Sequence, residues 1–321
     1  MQTLAYPSEI AGILRKQKYQ LVGRHSAVKK CHWLHEMLVN QRPCYKQQFY
    51  GIRTHRCLQM SPAVVFCTQR CLHCWRVQPP DIGLEWSELG PDEWDPPELV
   101  VEEAIKAQRR ILTGYKKHPK VPEALWREAW NPNQAAISLS GEPTLYPYIG
   151  GLIREFHRRG FTTFLVTNGT LPERLEALPE PPTQLYISLT APTEEAHRVL
   201  CRPLLKDAWK RILRTIDLAR ERFDRVVYRI TLIRGWNDRY ADEYAKLIER
   251  GQPPFVEIKA YMFVGYSQRR LTLDAMPLHR HVMEFAEELA KKTGYQLYDE
   301  NISSRVALLV SGAVKPRIPG L

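Results

Sequence analysis

The sequence predicts an α/β fold, a partial or irregular (β/α) TIM-like barrel with a basic N-terminal extension. Three observations carry that expectation. Apolar strand patterns and amphipathic helix patterns alternate from Pro97 onward, as a parallel sheet with crossover helices requires. The residues with chemical potential fall just after the predicted strands, where barrels place their chemistry. No G-x-G-x-x-G follows a strand, which weakens the alternative of an open dinucleotide-binding sheet.

Residues 1–60 are basic, aromatic and irregular, with helical spacing over 7–17 and 30–38. Residues 63–66 form a short apolar run and are expected to be a buried strand emptying into a cysteine loop. Residues 79–97 are acidic and proline-rich, hence a loop. Helical spacing follows over 97–114. Strands are then expected at 135–140, 161–166, 185–189, 225–233, 255–263 and 305–311. Helices are expected at 149–159, 209–223, 240–250 and 278–293. Residues 1–60 read as an extension packed on a 61–321 barrel.

A chain of 321 residues with 44% hydrophobic content can bury a large core. No stretch reaches the roughly 18–20 apolar residues needed to span a bilayer, and the N-terminus lacks the apolar segment of a signal peptide. A cytoplasmic, monomeric protein without membrane contact is expected. The net charge of +11 favours a polyanionic partner. Ten of the cations lie in residues 1–60 against only Glu9 and Glu36, whereas the stretch from Asp81 to Glu103 is acidic.

Cys67, Cys71 and Cys74 form a C-x3-C-x2-C loop. Three thiolates on such a loop can hold three irons of a 4Fe–4S cluster and leave the fourth open to a small chelating molecule. Zinc with His73 or His55 as fourth ligand is the alternative, but zinc sites usually pair C-x2-C units. Ser140-Gly141-Glu142-Pro143 follows the next strand, and a Gly-Glu pair can receive a ligand ammonium. Cys31, Cys44 and Cys57 are thirteen residues apart, a spacing that lets three segments converge on a second cluster. Lys46 lies two residues after Cys44. Near a cationic centre its amine is expected to be easier to deprotonate, and a neutral amine can condense with a keto acid. Cys201 stands alone and is expected to be a packed thiol.

These residues carry a specific resemblance. The three early cysteines, ten residues ahead of the C-x3-C-x2-C loop, together with Cys44-Tyr45-Lys46-Gln47-Gln48-Phe49-Tyr50-Gly51-Ile52, resemble archaeal 4-demethylwyosine synthases of tRNA wybutosine biosynthesis, radical S-adenosylmethionine enzymes. Leu139 to Thr144, Leu165 to Thr170, Thr231 to Asn237 and Glu257 to Met262 also look like that family. The resemblance spans almost the whole chain. It implies a barrel of the radical S-adenosylmethionine type and two 4Fe–4S clusters, one on Cys67, Cys71 and Cys74 and an auxiliary one on Cys31, Cys44 and Cys57. It implies S-adenosylmethionine near Gly141, Glu142, Asn168 and Ser188, and Lys46 as the pyruvate-binding amine. The implied substrate is tRNA-Phe bearing N1-methylguanosine beside the anticodon, with pyruvate as co-substrate. Eukaryotic relatives carry an added flavodoxin-like domain, so here an external electron donor such as a flavodoxin or ferredoxin is implied. The basic charge then meets the anticodon loop, and the modified base has to leave its stack to react. Arg269 and Arg270, after Tyr266, are candidate RNA contacts. The rival readings are another radical enzyme acting on RNA and a zinc-stabilised RNA-binding protein without catalysis.

Overall fold

The computed structural model describes residues 4–321; the first three residues of the basic N-terminal segment lie outside it. The chain runs α1 (Ser8–Lys16), β1 (Tyr19–Val22), β2 (Ser26–Lys29), α2 (His32–Asn40), α3 (Tyr45–Tyr50), β3 (Cys57–Ser61), α4 (Pro97–Thr113), α5 (Glu123–Ala129), β4 (Gln134–Ile137) and α6 (Ile149–Arg158). It continues through β5 (Thr162–Thr167), α7 (Pro172–Glu176), β6 (Gln184–Ser188), α8 (Glu194–Cys201), α9 (Ala208–Arg222), β7 (Val226–Leu232), α10 (Ala241–Gly251), β8 (Phe255–Ala260), α11 (His279–Thr293), β9 (Gln296–Asn301) and β10 (Val306–Val310).

Among the described residues, ten strands join one open mixed sheet in the order β1-β2-β3-β4-β5-β6-β7-β8-β10-β9. The six strands β3 to β8 are parallel, and antiparallel pairs flank them on both sides. The sheet is therefore a partial barrel with free edges at β1 and β9. Residues 19–61 supply three of its strands.

Alternation along the parallel strands divides two faces. Leu165, Leu185, Ile187, Tyr228, Ile230, Val256 and Ile258 point outward and pack under α4, α6, α9, α10 and α11. Phe164, Tyr186, Val227 and Phe255 point the other way, where Tyr45, Phe49 and Tyr50 of α3 fill the concavity. Burying Phe49 there contributes on the order of 2–3 kcal/mol. The helix α3 is thus a plug, and it carries Lys46 inside with it.

One expected strand lies elsewhere. Residues 63–66 are a bend, and the strand feeding the cysteine loop is β3, five residues earlier. Pro62 lacks the N–H that would continue the ladder, and Val65 sits in the left-handed region at φ 67°. Ala63, Val64 and Phe66 are fully buried all the same. Their apolar character reports burial rather than strand. The hairpin β1–β2, the plug α3 and the exposed, polar edge strand β9 have patterns too short or too polar to read from sequence.

Candidate active site

The loop after β3 holds Cys67, Cys71 and Cys74 as free thiols. All three line a cavity of about 80 Å³ together with Ser140 and Gly141. The loop is strapped from outside. Arg70 donates its backbone N–H to Cys201 O at 3.0 Å, and Leu72 donates to Leu200 O at 2.9 Å. Gln78 Nε2 donates to Cys71 O at 2.9 Å. Arg270 donates to Leu72 O at 3.3 Å and to Cys74 O, and it pairs with Asp81 at 3.0 Å. Arg270 is therefore a buried clamp on the loop, not the exposed RNA contact expected from its basic neighbourhood. Arg269 is exposed; it donates to Asp81 O at 2.7 Å and covers the Tyr266 ring.

The donor set suits a cluster. Burial, and then the neighbouring Cys71, pushes the Cys67 and Cys74 thiols up. The thiol of Cys201 and then burial do the same to Cys71. Three thiolates cannot persist here without a compensating cation, and a metal centre provides one. No three His, Cys, Asp or Glu side chains among the described residues converge as one metal ion demands. A 4Fe–4S cluster asks for something different, with each thiolate on its own iron.

The Gly141-Glu142 turn docks against the loop's entry. Gly141 has φ 73°, and a Cβ there would lie 2.0 Å from Ala63 O and 2.4 Å from Phe66 O, so only glycine fits. Glu142 N donates to Phe66 O at 2.7 Å. The Glu142 carboxylate is buried and accepts from the Thr144 hydroxyl at 2.6 Å, the Thr167 hydroxyl at 2.7 Å and Asn168 N at 2.7 Å. It ties the end of β4 to the end of β5. Asn168 in turn donates from Nδ2 to Thr68 Oγ1 at 2.9 Å, inside the cysteine loop. Ser188 closes β6 and pairs across the ladder with Arg229.

Cys31, Cys44 and Cys57 precede α2, precede α3 and open β3, respectively. Burial and then the Cys31 thiol push the Cys44 thiol up to about 12, with Lys46 opposing; the same influences raise Cys57. These three thiols and Lys46 thus share one neighbourhood. The Lys46 ammonium lies 4.8 Å from the centre of Phe164 and 4.6 Å from that of Tyr186. Burial and then Arg229 lower its pKa.

Sequence reasoning missed the charged group around Lys46. Arg229 on β7 donates to Glu257 on β8, and Glu257 also accepts from Tyr50 at 2.7 Å and Tyr45 at 3.1 Å. Burial alone would raise the Glu257 carboxyl, but Arg229 and Lys46 outweigh it and hold it low. Lys259 donates to Ser304 O at 2.6 Å and is pushed down to about 8 by burial and Arg229. Charged residues at alternating positions inside a buried strand were the available signal. Arg76 was also missed. It covers the Trp75 ring, donates to Tyr19 Oη at 2.6 Å, and its charge acts on both Cys74 and Cys31.

Comparison with known proteins agrees with this geometry. The radical SAM superfamily matches residues 62–248, and a family described as wyosine base formation matches residues 250–311. An S-adenosyl-L-methionine-dependent tRNA 4-demethylwyosine synthase of Pyrococcus horikoshii is 53% identical, over 98% of this chain and 92% of that protein. The Methanocaldococcus jannaschii protein of the same description is 46% identical, over 94% of this chain and 96% of that one. A human relative is 38% identical over 86% of this chain, which matches only 37% of its length. A solved structure described as TYW1 with a lysine-pyruvate adduct bound superposes with a TM-score of 0.89 at 41% identity, covering 98% of this chain and 99% of that one. The chain belongs to the tRNA 4-demethylwyosine synthase family of radical S-adenosylmethionine enzymes.

Proposed function

We propose that this enzyme forms 4-demethylwyosine on tRNA-Phe, from N1-methylguanosine beside the anticodon and pyruvate. The observation that carries the reading is Lys46, buried over the Phe164 and Tyr186 rings with the Cys44 and Cys57 thiols within reach of its charge. A 4Fe–4S cluster on Cys67, Cys71 and Cys74 with S-adenosylmethionine supplies, when bound, one-electron cleavage of a sulfonium and hence a carbon radical that can take hydrogen from a methyl group. The family resemblance assigns that ligand to Gly141, Glu142, Asn168 and Ser188, and of these Gly141 lines the thiol cavity. An auxiliary cluster on Cys31, Cys44 and Cys57 would put a cationic centre beside Lys46. An external flavodoxin or ferredoxin supplies the electron.

The chain's own contribution is to prepare and hold pyruvate. Burial and Arg229 favour the neutral Lys46 amine, which attacks the ketone carbon and loses water to form a Schiff base. Phe164 and Tyr186 keep bulk water from the imine. Glu257 takes the charge of Arg229, and the remaining cation of the group, Lys259, adds to the repulsion that favours the neutral amine. Pyruvate gives two carbons to the new ring, and its carboxylate leaves. A solved relative described with a lysine-pyruvate adduct supports this role.

Anaerobic reconstitution tests the reading. Wild-type protein should take up about eight irons with matching sulfide, and triple alanine replacement of either cysteine set should leave about four. One zinc and no iron would sink it. Borohydride should trap pyruvate on the wild type but not on Lys46→Ala.

A further inference from the structure

Reductive cleavage of a sulfonium consumes one electron, which a carrier has to deliver to the cluster site. A groove of about 1040 Å³ lies on the outer side of the cysteine loop, against α8 and the start of α9. We propose that this groove docks an acidic, flavodoxin-type carrier and passes its electron to the Cys67, Cys71 and Cys74 site. The inference rests on the radical reading above and names the partner surface that reading leaves open.

The groove and the thiol-lined cavity share walls. Arg70, Gln78 and Leu204 line both. A carrier seated in the groove is thus separated from the cluster site by single side chains, and electron transfer falls steeply with distance. The shared wall is rigid. Leu204 N donates to Thr68 O at 2.8 Å, and Gln69 forms an isolated bridge with Pro203.

A contact chain also runs inward. Trp209, half-buried at the groove, lies 5.7 Å from the His197 ring. Gln69 Nε2 donates to His197 Nε2 at 2.9 Å, and the Cys71 thiol donates to Gln69 Oε1 at 3.3 Å. An indole at the surface can meet the edge of a flavin by stacking.

The charge fits an acidic partner. Arg198, Arg202 and Lys206 are exposed, and with Arg70 they face Glu194 and Glu195 along the groove. The remaining lining pair, Arg270 and Asp81, neutralise each other at 3.0 Å. The excess is positive, and the three exposed cations make no ion pair with an acidic side chain among the described residues. Exposed Leu204 adds a small apolar contact to the groove wall. A charged ring around a small apolar spot suits a fast, weak encounter.

RNA is the competing occupant. A base must reach Lys46, and no groove residue lies among Phe164, Tyr186, Arg229 and Glu257. An electron must reach the cysteine loop, and that loop is the groove's wall. The transfer balances simply: the carrier's flavin hydroquinone loses one electron, the oxidised cluster gains it, and no bond is made or broken.

The test uses reconstituted enzyme, a reduced FMN flavodoxin and the triple variant R198E/R202E/K206E. Calorimetry reads flavodoxin binding, absorbance reads cluster reduction by flavodoxin or by dithionite, and filter binding reads tRNA affinity. Flavodoxin binding and flavodoxin-driven reduction should fall about tenfold or more at low salt. Dithionite-driven reduction and tRNA affinity should stay at wild-type values. Unchanged flavodoxin binding overturns the proposal. Weakened tRNA binding in the variant assigns the groove to RNA and overturns it as well. Failure of the underlying radical reading looks different, because the wild type would then show no iron–sulfur absorbance before any carrier is added.

Discussion

Arg229 donates to Glu257 through Nε at 3.0 Å and through a terminal nitrogen at 2.8 Å, bridging neighbouring strands inside the concave face. The pair is buried, and Lys46 shares its field. Glu257→Gln leaves the Arg229 guanidinium without its countercharge, which costs about 3–5 kcal/mol. Urea unfolding of the cluster-free protein measures that loss. The same change removes a charge that supports the Lys46 ammonium, so borohydride trapping of pyruvate should extend to lower pH. A shift to higher pH would contradict the assigned geometry.

Lys259 predicts a pH dependence. It titrates at about 8 in the fold against 10.5 ordinarily. Between those values the folded chain binds fewer protons than the unfolded one, so stability rises with pH. Below about 8 both states carry the proton and the full burial penalty applies. The rise attributable to this residue is about 3 kcal/mol across the window. Lys259→Met should remove it, so the stability advantage of the variant should shrink steadily as pH climbs from 8 to 10.5. A constant difference between the two proteins would show that Lys259 titrates normally.

Arg270 holds the carbonyls of Leu72 and Cys74 while pairing with Asp81. Lysine keeps the charge but not the planar fork. Arg270→Lys should therefore release iron from the Cys67 set to a chelator about tenfold faster, in the range typical for lost supporting contacts. Its tRNA affinity should not change. Weakened tRNA binding with normal iron retention would return Arg270 to the surface role.

Gly141→Ala places a methyl within 2.0 Å of Ala63 O at a positive φ. Backbone must move, at a cost of roughly 3 kcal/mol. Thermal unfolding of the cluster-free variant gives the number. A transition at the wild-type temperature would mean that the turn does not dock on residues 63–66.

The sequence made the α/β alternation legible because buried parallel strands are apolar runs separated by amphipathic helices. The loop of Cys67, Cys71 and Cys74 was legible from its spacing, in a stretch that matches the radical SAM superfamily; the wider spacing of Cys31, Cys44 and Cys57 only allowed a second set. The Lys46 surroundings were not. Arg229, Glu257 and Lys259 are single charges inside strands that otherwise read as core, and only the register between β7 and β8 brings them together. The loop at 63–66 misled for the same physical reason: Val64 and Phe66 are as buried as any strand residue while making no ladder. Arg270 looked like surface charge because nothing in its neighbours announces Asp81, nearly two hundred residues away.

The strands β1, β2 and β3 continue directly into the parallel sheet, and Arg76 acts on thiols from both sets. The first sixty residues are consequently no detachable cassette. Transplanted onto another radical enzyme, they would lose the ladder from β3 to β4, the concave face that receives α3, and the hydrogen bond from Arg76 to Tyr19. Engineering that exchanges co-substrate chemistry between such enzymes would have to change α3, which carries Lys46, together with the slot residues on β5 to β8.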